Sequence, residues 1–283
     1  MNILTVDVED WFHILEVEGT PDLEAWSGLE SRVERGTERL LELFEEAGAR
    51  VTWFFLGWVA ERHPALVRRV AEAGHEIACH GYAHQLVYTQ TQSQFAQDLE
   101  RAKGILEEAC GAEVSGYRAP GFSITPATPW AFEAIAAAGF RYDSSVFPGP
   151  RGHGGLPGAP LSPYRIETPA GPLSEVPVSV VALGSKRLCF FGGGYLRITP
   201  YSLIRAMTGL VNLRGRPVVY YVHPREVDPT HPRLEMSALR RFKSYVNLDT
   251  TESKLRALVR DQRLGTMRSW LAEHEAGLEA RSA

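Results

Sequence analysis

The sequence predicts an α/β protein built on a parallel sheet or barrel. Two observations predict it. Short apolar runs alternate with helical periodicities from residue 3 to residue 143, and the chemically loaded residues fall at the carboxy-terminal ends of those runs. The alternation leaves the strand count open.

Residues 3–8 (Ile-Leu-Thr-Val-Asp-Val) read as a buried strand leading into acids. Residues 31–47 carry apolar positions at helical spacing (Val33, Leu40, Leu41, Phe44) and stop at Gly48. Residues 51–56 form a second strand, Pro64 opens a helix that Gly74 ends, and residues 76–79 are a short strand leading into His80. Ser93 is the expected N-cap of a helix that runs to Cys110 and stops at Gly111. Strands are expected over 115–118 and 140–143, with a helix between them from Thr125-Pro126 to Gly139. The Pro- and Gly-rich stretch 147–172 reads as a long rim loop. Residues 173–183 and 217–222 read as strands, and 235–274 as a mostly helical, mixed-charge tail.

The bulk numbers narrow the function. The chain has 283 residues, 44% hydrophobic and 23% charged, with net charge −4, so a large core is available and no basic surface points to nucleic acid. Three irregularly spaced cysteines exclude a disulfide framework; Cys79, beside His80, is a remote candidate for an extra ligand. No secretory leader and no apolar run of the roughly 20 residues a spanning helix needs is visible, so the expected location is cytoplasmic.

Five segments carry chemistry, in a fixed order. Asp7, Glu9 and Asp10 follow the first strand. His80 and His84, four apart in His-Gly-Tyr-Ala-His, would share one face of a helical turn. Arg118-Ala119-Pro120, then Tyr142-Asp143-Ser144-Ser145, then Val222-His223-Pro224 complete the set. Two histidines and a carboxylate, with a spare carboxylate and a spare histidine, equip a Zn-type site for metal-assisted hydrolysis. In an extended strand Asp7 and Glu9 share a face; if the strand ends after Val8, Asp10 reaches the metal instead. Both stay open. The Gly-rich 190–197 segment lacks the Lys-Ser/Thr of a phosphate loop and reads as a tight turn or as a rim loop that touches sugar.

In this order the segments resemble the five motifs of the polysaccharide deacetylases, the NodB-homology carbohydrate esterases of family 4. The resemblance covers roughly residues 3–225, and Thr52-Trp53-Phe54-Phe55-Leu56-Gly57 is similar to the family's second strand. The tail, with Arg241-Phe242-Lys243-Ser244-Tyr245-Val246-Asn247-Leu248, resembles the extension of an exosortase/PEP-CTERM-associated subgroup linked to exopolysaccharide loci.

The resemblance implies a distorted (β/α) barrel over 1–226, with a mostly helical C-terminal extension, 227–283, packed on it. It implies a hydrolase of linear amides that removes N-acetyl from an aminosugar. Asp7 is then the catalytic base, Arg118 the arginine that fixes the base, His223 the general acid and Asp143 the acid that orients His223. The metal ligands are His80, His84 and Asp10 or Glu9, with a lean to Asp10 because the family's usual carboxylate ligand is an aspartate, and the metal is Zn²⁺, with Co²⁺, Ni²⁺ or Mn²⁺ as alternatives. Val146 or Phe147 stands in for the usual tryptophan of the fourth motif. The expected partner is an N-acetylated carbohydrate, extending to a lipid-linked precursor at the membrane face; oligomeric state is not indicated.

The competing readings are an allantoinase-like hydrolase of a small cyclic amide and a non-catalytic carbohydrate-binding protein. Loss of the histidine pair would favour the first, and loss of a catalytic element the second. His13, His63, His75, His153, His231 and His274 lack such context and read as structural or exposed. Trp11, beside the acids, is the tryptophan expected to line the sugar site.

Overall fold

The computed structural model describes residues 1–283 except 16, 18, 153, 185 and 283, with the backbone alone at 282. The strands are β1 (Asn2–Val8), β2 (Thr52–Phe55), β3 (Glu76–Cys79), β4 (Gly116–Tyr117), β5 (Tyr142–Asp143), β6 (Tyr164–Thr168), β7 (Gly171–Glu175), β8 (Val181–Leu183), β9 (Lys186–Leu188), β10 (Val219–Val222), β11 (Leu264–Gly265) and β12 (Ala280–Ser282). The helices are α1 (Val33–Glu46), α2 (Gly57–Arg62), α3 (Pro64–Glu72), α4 (Gln92–Cys110), α5 (Trp130–Ala137), α6 (Gly193–Ile198), α7 (Tyr201–Asn212), α8 (Ala238–Tyr245), α9 (Thr251–Asp261) and α10 (Met267–His274).

Neighbouring strands run in the order β10-β1-β2-β3-β4-β5-β7-β6-β12, and β11 also pairs with β1. The seven from β10 to β7 are parallel, whereas β6 and β7 form an antiparallel hairpin. A bridge from Gly192 to Tyr221 extends the wall beyond β10. This is a distorted (β/α) barrel with a largely helical C-terminal region. Residues 227–283 add β11 beside the start of β1 and β12 as the edge strand beside β6, so they are woven into the sheet.

Period-two alternation along β1 positions the site. Leu4, Val6 and Val8 pack into the main core between sheet and helices, while Ile3 joins Phe54, Ala78, Tyr142, Val176 and Val219 in a second cluster that α10 covers. Moving up the Ile3 face, the side chains change from apolar to Thr5 and Asp7. Helix–sheet packing on one side and the filled lumen on the other leave every residue of β1 buried.

The observed elements correct several expectations. The cap of α4 is Thr91, whose hydroxyl accepts from Gln94 N while the Gln94 side chain accepts from Thr91 N, a reciprocal box that outcompetes Ser93. Residues 125–128 form a hydroxyl-bonded turn, so α5 starts only at Trp130. The stretch 147–172 is not all loop: Tyr164 and Ile166 alternate inward along β6, and the chain reverses between Thr168 and Gly171 into β7. The run 173–183 is two strands, β7 and β8, rather than one.

Candidate active site

The site lies in a cleft of about 410 Å³ lined by Asp7, Glu9, His13, His80, His84, His223 and Glu226, with Gly193, Gly194 and Tyr195 from the Gly-rich segment. Three strand ends converge there, those of β1, β3 and β10.

His80 follows β3 directly. Its Nδ1 lies 2.7 Å from the carbonyl oxygen of Arg118, and a carbonyl only accepts, so Nδ1 carries a proton. The Nε2 atom faces Glu9 Oε1 at 3.1 Å, and His84 Nε2 meets the same oxygen at 2.9 Å. The two histidines do not share a helical turn. A tight loop brings them together, with Gly81 at φ +74° and His84 itself left-handed at φ +53°, which sets the rings 5.5 Å apart. A Cβ at position 81 would stand 2.9 Å from Asp98 Oδ2, whose carboxylate accepts from Tyr82 N and anchors the loop.

Glu9, His80 and His84 present ligand atoms all within 4.8 Å of one another, and all three residues are buried. With the Nδ1 proton directed to the Arg118 carbonyl, His80 leaves Nε2 facing the same Glu9 oxygen that His84 Nε2 meets, so three ligand-type atoms point at one place. Ligands about 2.1 Å from a tetrahedral ion stand about 3.4 Å apart, so an opening of a few tenths of an ångström accommodates Zn²⁺. The donor set fits a divalent cation. Burial works to raise the Glu9 pKa, but His84, His223 and His80 outweigh it and hold this carboxyl well below the usual range.

Asp10 is placed elsewhere, against the lean of the sequence. It caps the 3-10 turn Trp11–His13, accepting from Trp11 N at 2.8 Å. It also accepts from Ser31 Oγ at 2.6 Å and from the amides of Arg32 and Val33, which open α1. Its oxygens are thus used on amides that have no partner within the helix. β1 ends at Val8, and Glu9 N donates to Asp7 O at 3.0 Å across a three-residue turn; the turn leaves Glu9 facing the histidines and Asp10 capping the next turn.

Asp7 Oδ1 accepts from Arg118 Nη1 at 2.6 Å. Arg118 is fully buried, bonds Thr5 Oγ1, Ser144 Oγ and Ser144 O, and lies 4.2 Å over the Phe54 ring. One carboxylate oxygen of Asp7 is therefore pinned, and Oδ2 faces His223 Nε2 at 4.0 Å. The same Nε2 stands 3.8 Å from Glu9 Oε1.

Asp143 does not reach His223. It accepts from Ser145 Oγ, whose oxygen in turn accepts from Ala119 N at 2.7 Å, so Asp143 braces the Arg118-Ala119-Pro120 segment. Across the β5–β7 pairing it meets Glu175. Burial raises both carboxyls, and beside the Asp143 carboxylate Glu175 is held far above its ordinary range, so Glu175 carries the proton of the pair. The acid near His223 is Glu226, which the sequence reading missed. Its Oε1 lies 3.4 Å from His223 Nδ1, at ion-pair distance but without an aligned hydrogen bond. Burial pushes its pKa up, yet Arg197 and His223 outweigh burial and hold it at about 2. The signal available was the three-residue spacing in His223-Pro224-Arg225-Glu226, one turn of a 3-10 helix. Burial pulls the His223 pKa down, but Glu9 and Glu226 more than offset it and leave it raised.

Two further placements differ from expectation. Trp11 is buried, donates Nε1–H to Glu30 O and does not line the cleft. His13 does line it, with Nδ1 accepting from Asp10 N at 2.9 Å. Cys79 accepts from Gly81 N, and burial pushes its thiol up, away from a ligand's requirement. His153 lies outside the described residues.

Comparison with known proteins adds two matches. Residues 26–142 match the polysaccharide deacetylase family profile, and residues 144–272 match a domain of unknown function, DUF3473. A peptidoglycan deacetylase of Helicobacter pylori is 31% identical over 113 residues, which is 40% of this chain and 38% of that protein. A peptidoglycan deacetylase-like protein of Gibberella zeae is 34% identical over 114 residues, 39% of this chain and 32% of that protein. The chain thus spans about a third of the length of the curated relatives it matches. Among solved structures, a Mycobacterium smegmatis protein assigned to the polysaccharide deacetylases aligns over 100% of this chain and 94% of its own, with TM-score 0.65 and 23% identity. The Puue allantoinase aligns over 96% and 90%, with TM-score 0.62 and 17% identity. These two likenesses establish the fold.

Proposed function

We propose that this chain, whose residues 26–142 match the polysaccharide deacetylase family, is a divalent-metal hydrolase that removes the N-acetyl group of an aminosugar in a polysaccharide or its precursor. One observation carries the reading: Glu9, His80 and His84 converge on one point, with Asp7 and His223 beside it.

An amide is a weak electrophile, and its amine leaves poorly without a proton. A cation held by Glu9, His80 and His84 would polarise the carbonyl and make water a better nucleophile. Asp7 takes a proton from the attacking water at Oδ2, because Arg118 occupies Oδ1. His223 delivers a proton from Nε2 to the leaving nitrogen as the C–N bond breaks. One water and one amide give acetate and a free amine. Base and acid are separate groups in different surroundings, as two opposite proton transfers require.

The proposed setting is exopolysaccharide biosynthesis in the exosortase-associated subgroup, with residues 1–226 as the deacetylase barrel and 227–283 as its packed extension. The enzyme is proposed to act in the cytoplasm on a lipid- or nucleotide-linked precursor. No helix among the described residues is long and apolar enough to cross a membrane. Recovery of the mature protein outside the inner membrane would overturn that setting.

The test of the activity is acetate release from N-acetylglucosamine oligomers by metal-stripped, Zn-reloaded and Asp7→Asn proteins. Zn-dependent release that Asp7→Asn abolishes supports the reading. Stoichiometric zinc without release moves the substrate to another amide, the cyclic class included, and the absence of both leaves a binding role.

A further inference from the structure

The support behind His223 comes from a part of the chain matched only to a domain of unknown function. His223 Nε2 faces the two carboxylates of the cleft, so Nδ1 faces the other way, toward Glu226. The backbone makes this local: Glu226 N donates to His223 O at 2.9 Å, closing the turn that swings the Glu226 carboxylate behind the ring. Glu226 is fully buried and needs a cation. Arg197 Nη1 supplies it at 2.6 Å, from a side chain only 1% exposed.

Arg197 is held in turn. Its Nη2 donates to Lys243 O at 2.8 Å and Ser244 O at 3.0 Å, carbonyls in the last turn of α8 that have no partner within that helix. Its own carbonyl accepts from Asn247 Nδ2 and Lys254 Nζ. Backbone fit matches: a Cβ at Gly194 would come within 2.9 Å of Lys243 O, so the start of α6 lies directly on the end of α8. A buried ion pair is weak evidence of a stabilising device, because desolvation offsets much of the attraction. This one sits directly behind the ring assigned as the acid, and the other acid considered for the role, Asp143, is bonded to Ser145.

We infer that Glu226 and Arg197 are positioning residues that fix the ring and the Nδ1–H tautomer of His223, and that α8 holds them through its terminal carbonyls. The region 144–272 is then half of the active site. The inference rests on the reading of His223 as the general acid.

The experiment uses zinc-loaded full-length protein labelled with ¹⁵N-histidine. In the wild type, neutral His223 shows the Nδ1–H tautomer; Glu226→Gln and Arg197→Met shift it toward the mixture of a free imidazole, and Glu226→Asp restores part of it. This readout needs no substrate, so it stands apart from failure of the deacetylase reading. In turnover, Glu226→Gln lowers kcat on N-acetylglucosamine oligomers about 10- to 100-fold with KM within about twofold. It leaves hydrolysis of 4-nitrophenyl acetate, whose leaving group needs no proton, near the wild-type rate. An unchanged His223 spectrum in folded Glu226→Gln overturns the inference, as does equal loss on amide and ester.

Discussion

The two halves of the barrel build the site by different means. Before Asp143, most of the candidate side chains stand on or just after a strand: Asp7 on β1, Glu9 one turn past its end, His80 at the end of β3 and Arg118 at the end of β4, while His84 is set by the tight loop after His80. After it, only His223 is placed that way. Its support comes from a 3-10 turn, a six-residue helix and the carbonyl end of α8, which meet only in the folded chain. On the proposed reading, the first half gathers the ligands and the base, and the second supplies the acid and the groups behind it. Substitutions in the first half should therefore cost metal or base chemistry, and those in the second should cost proton delivery with the metal retained.

The largest expected effect is in the first half. Asp7→Asn should lower kcat by about 10²- to 10⁴-fold with zinc retained, since it removes the base and leaves the ligands. Zinc titration and acetate release on the same sample check it. Asp10→Ala sharpens the comparison within β1. It should cost about 1–2 kcal/mol of stability in urea melts, through the lost cap and helix start, while zinc affinity is unchanged. Loss of zinc in that variant would return the ligand role to Asp10.

In the second half, the expected signature is acid sensitivity. The Glu226 pKa of about 2 lies below its ordinary value of 4.5, so its stabilisation is fully present above about pH 4.5 and is lost as pH falls toward 2. Urea midpoints taken from pH 5 to pH 2 should fall less steeply in Glu226→Gln than in the wild type. Parallel slopes would mean that this carboxyl is not held down in the fold. The smallest effect is expected at Glu175. A carboxyl that already carries a proton is well replaced by an amide, so Glu175→Gln should stay within about 1 kcal/mol of the wild type, whereas Glu175→Ala should cost more. Thermal melts at neutral pH separate the two.

The same contrast explains what could be read from the sequence. Asp7, the histidine pair, Arg118 and His223 were legible because strands write their ends as apolar runs, and β3 falls on the residues its pattern indicates. Glu9 against Asp10 turned on how the chain leaves β1: a three-residue turn at Val8, closed by Glu9 N to Asp7 O, keeps Glu9 at the histidines, and spacing alone does not reveal such a turn. The histidines were found for a partly wrong reason, since a left-handed His84 does the work expected of a helical turn. Arg197 and Glu226 are 29 residues apart and joined by burial, so no local pattern announces them. The β6–β7 hairpin was hidden because Pro169, Gly171 and Pro172, read as loop signals, sit in its turn and at the start of β7, before β7 pairs with β5 at Ser174.

The most direct test is zinc affinity in wild-type protein and in Glu9→Gln, with His223→Ala as the second-half control. The account predicts one zinc per wild-type chain, affinity reduced on the order of 100-fold or more in Glu9→Gln, and full binding without acetate release in His223→Ala. Wild-type zinc affinity in folded Glu9→Gln would contradict it.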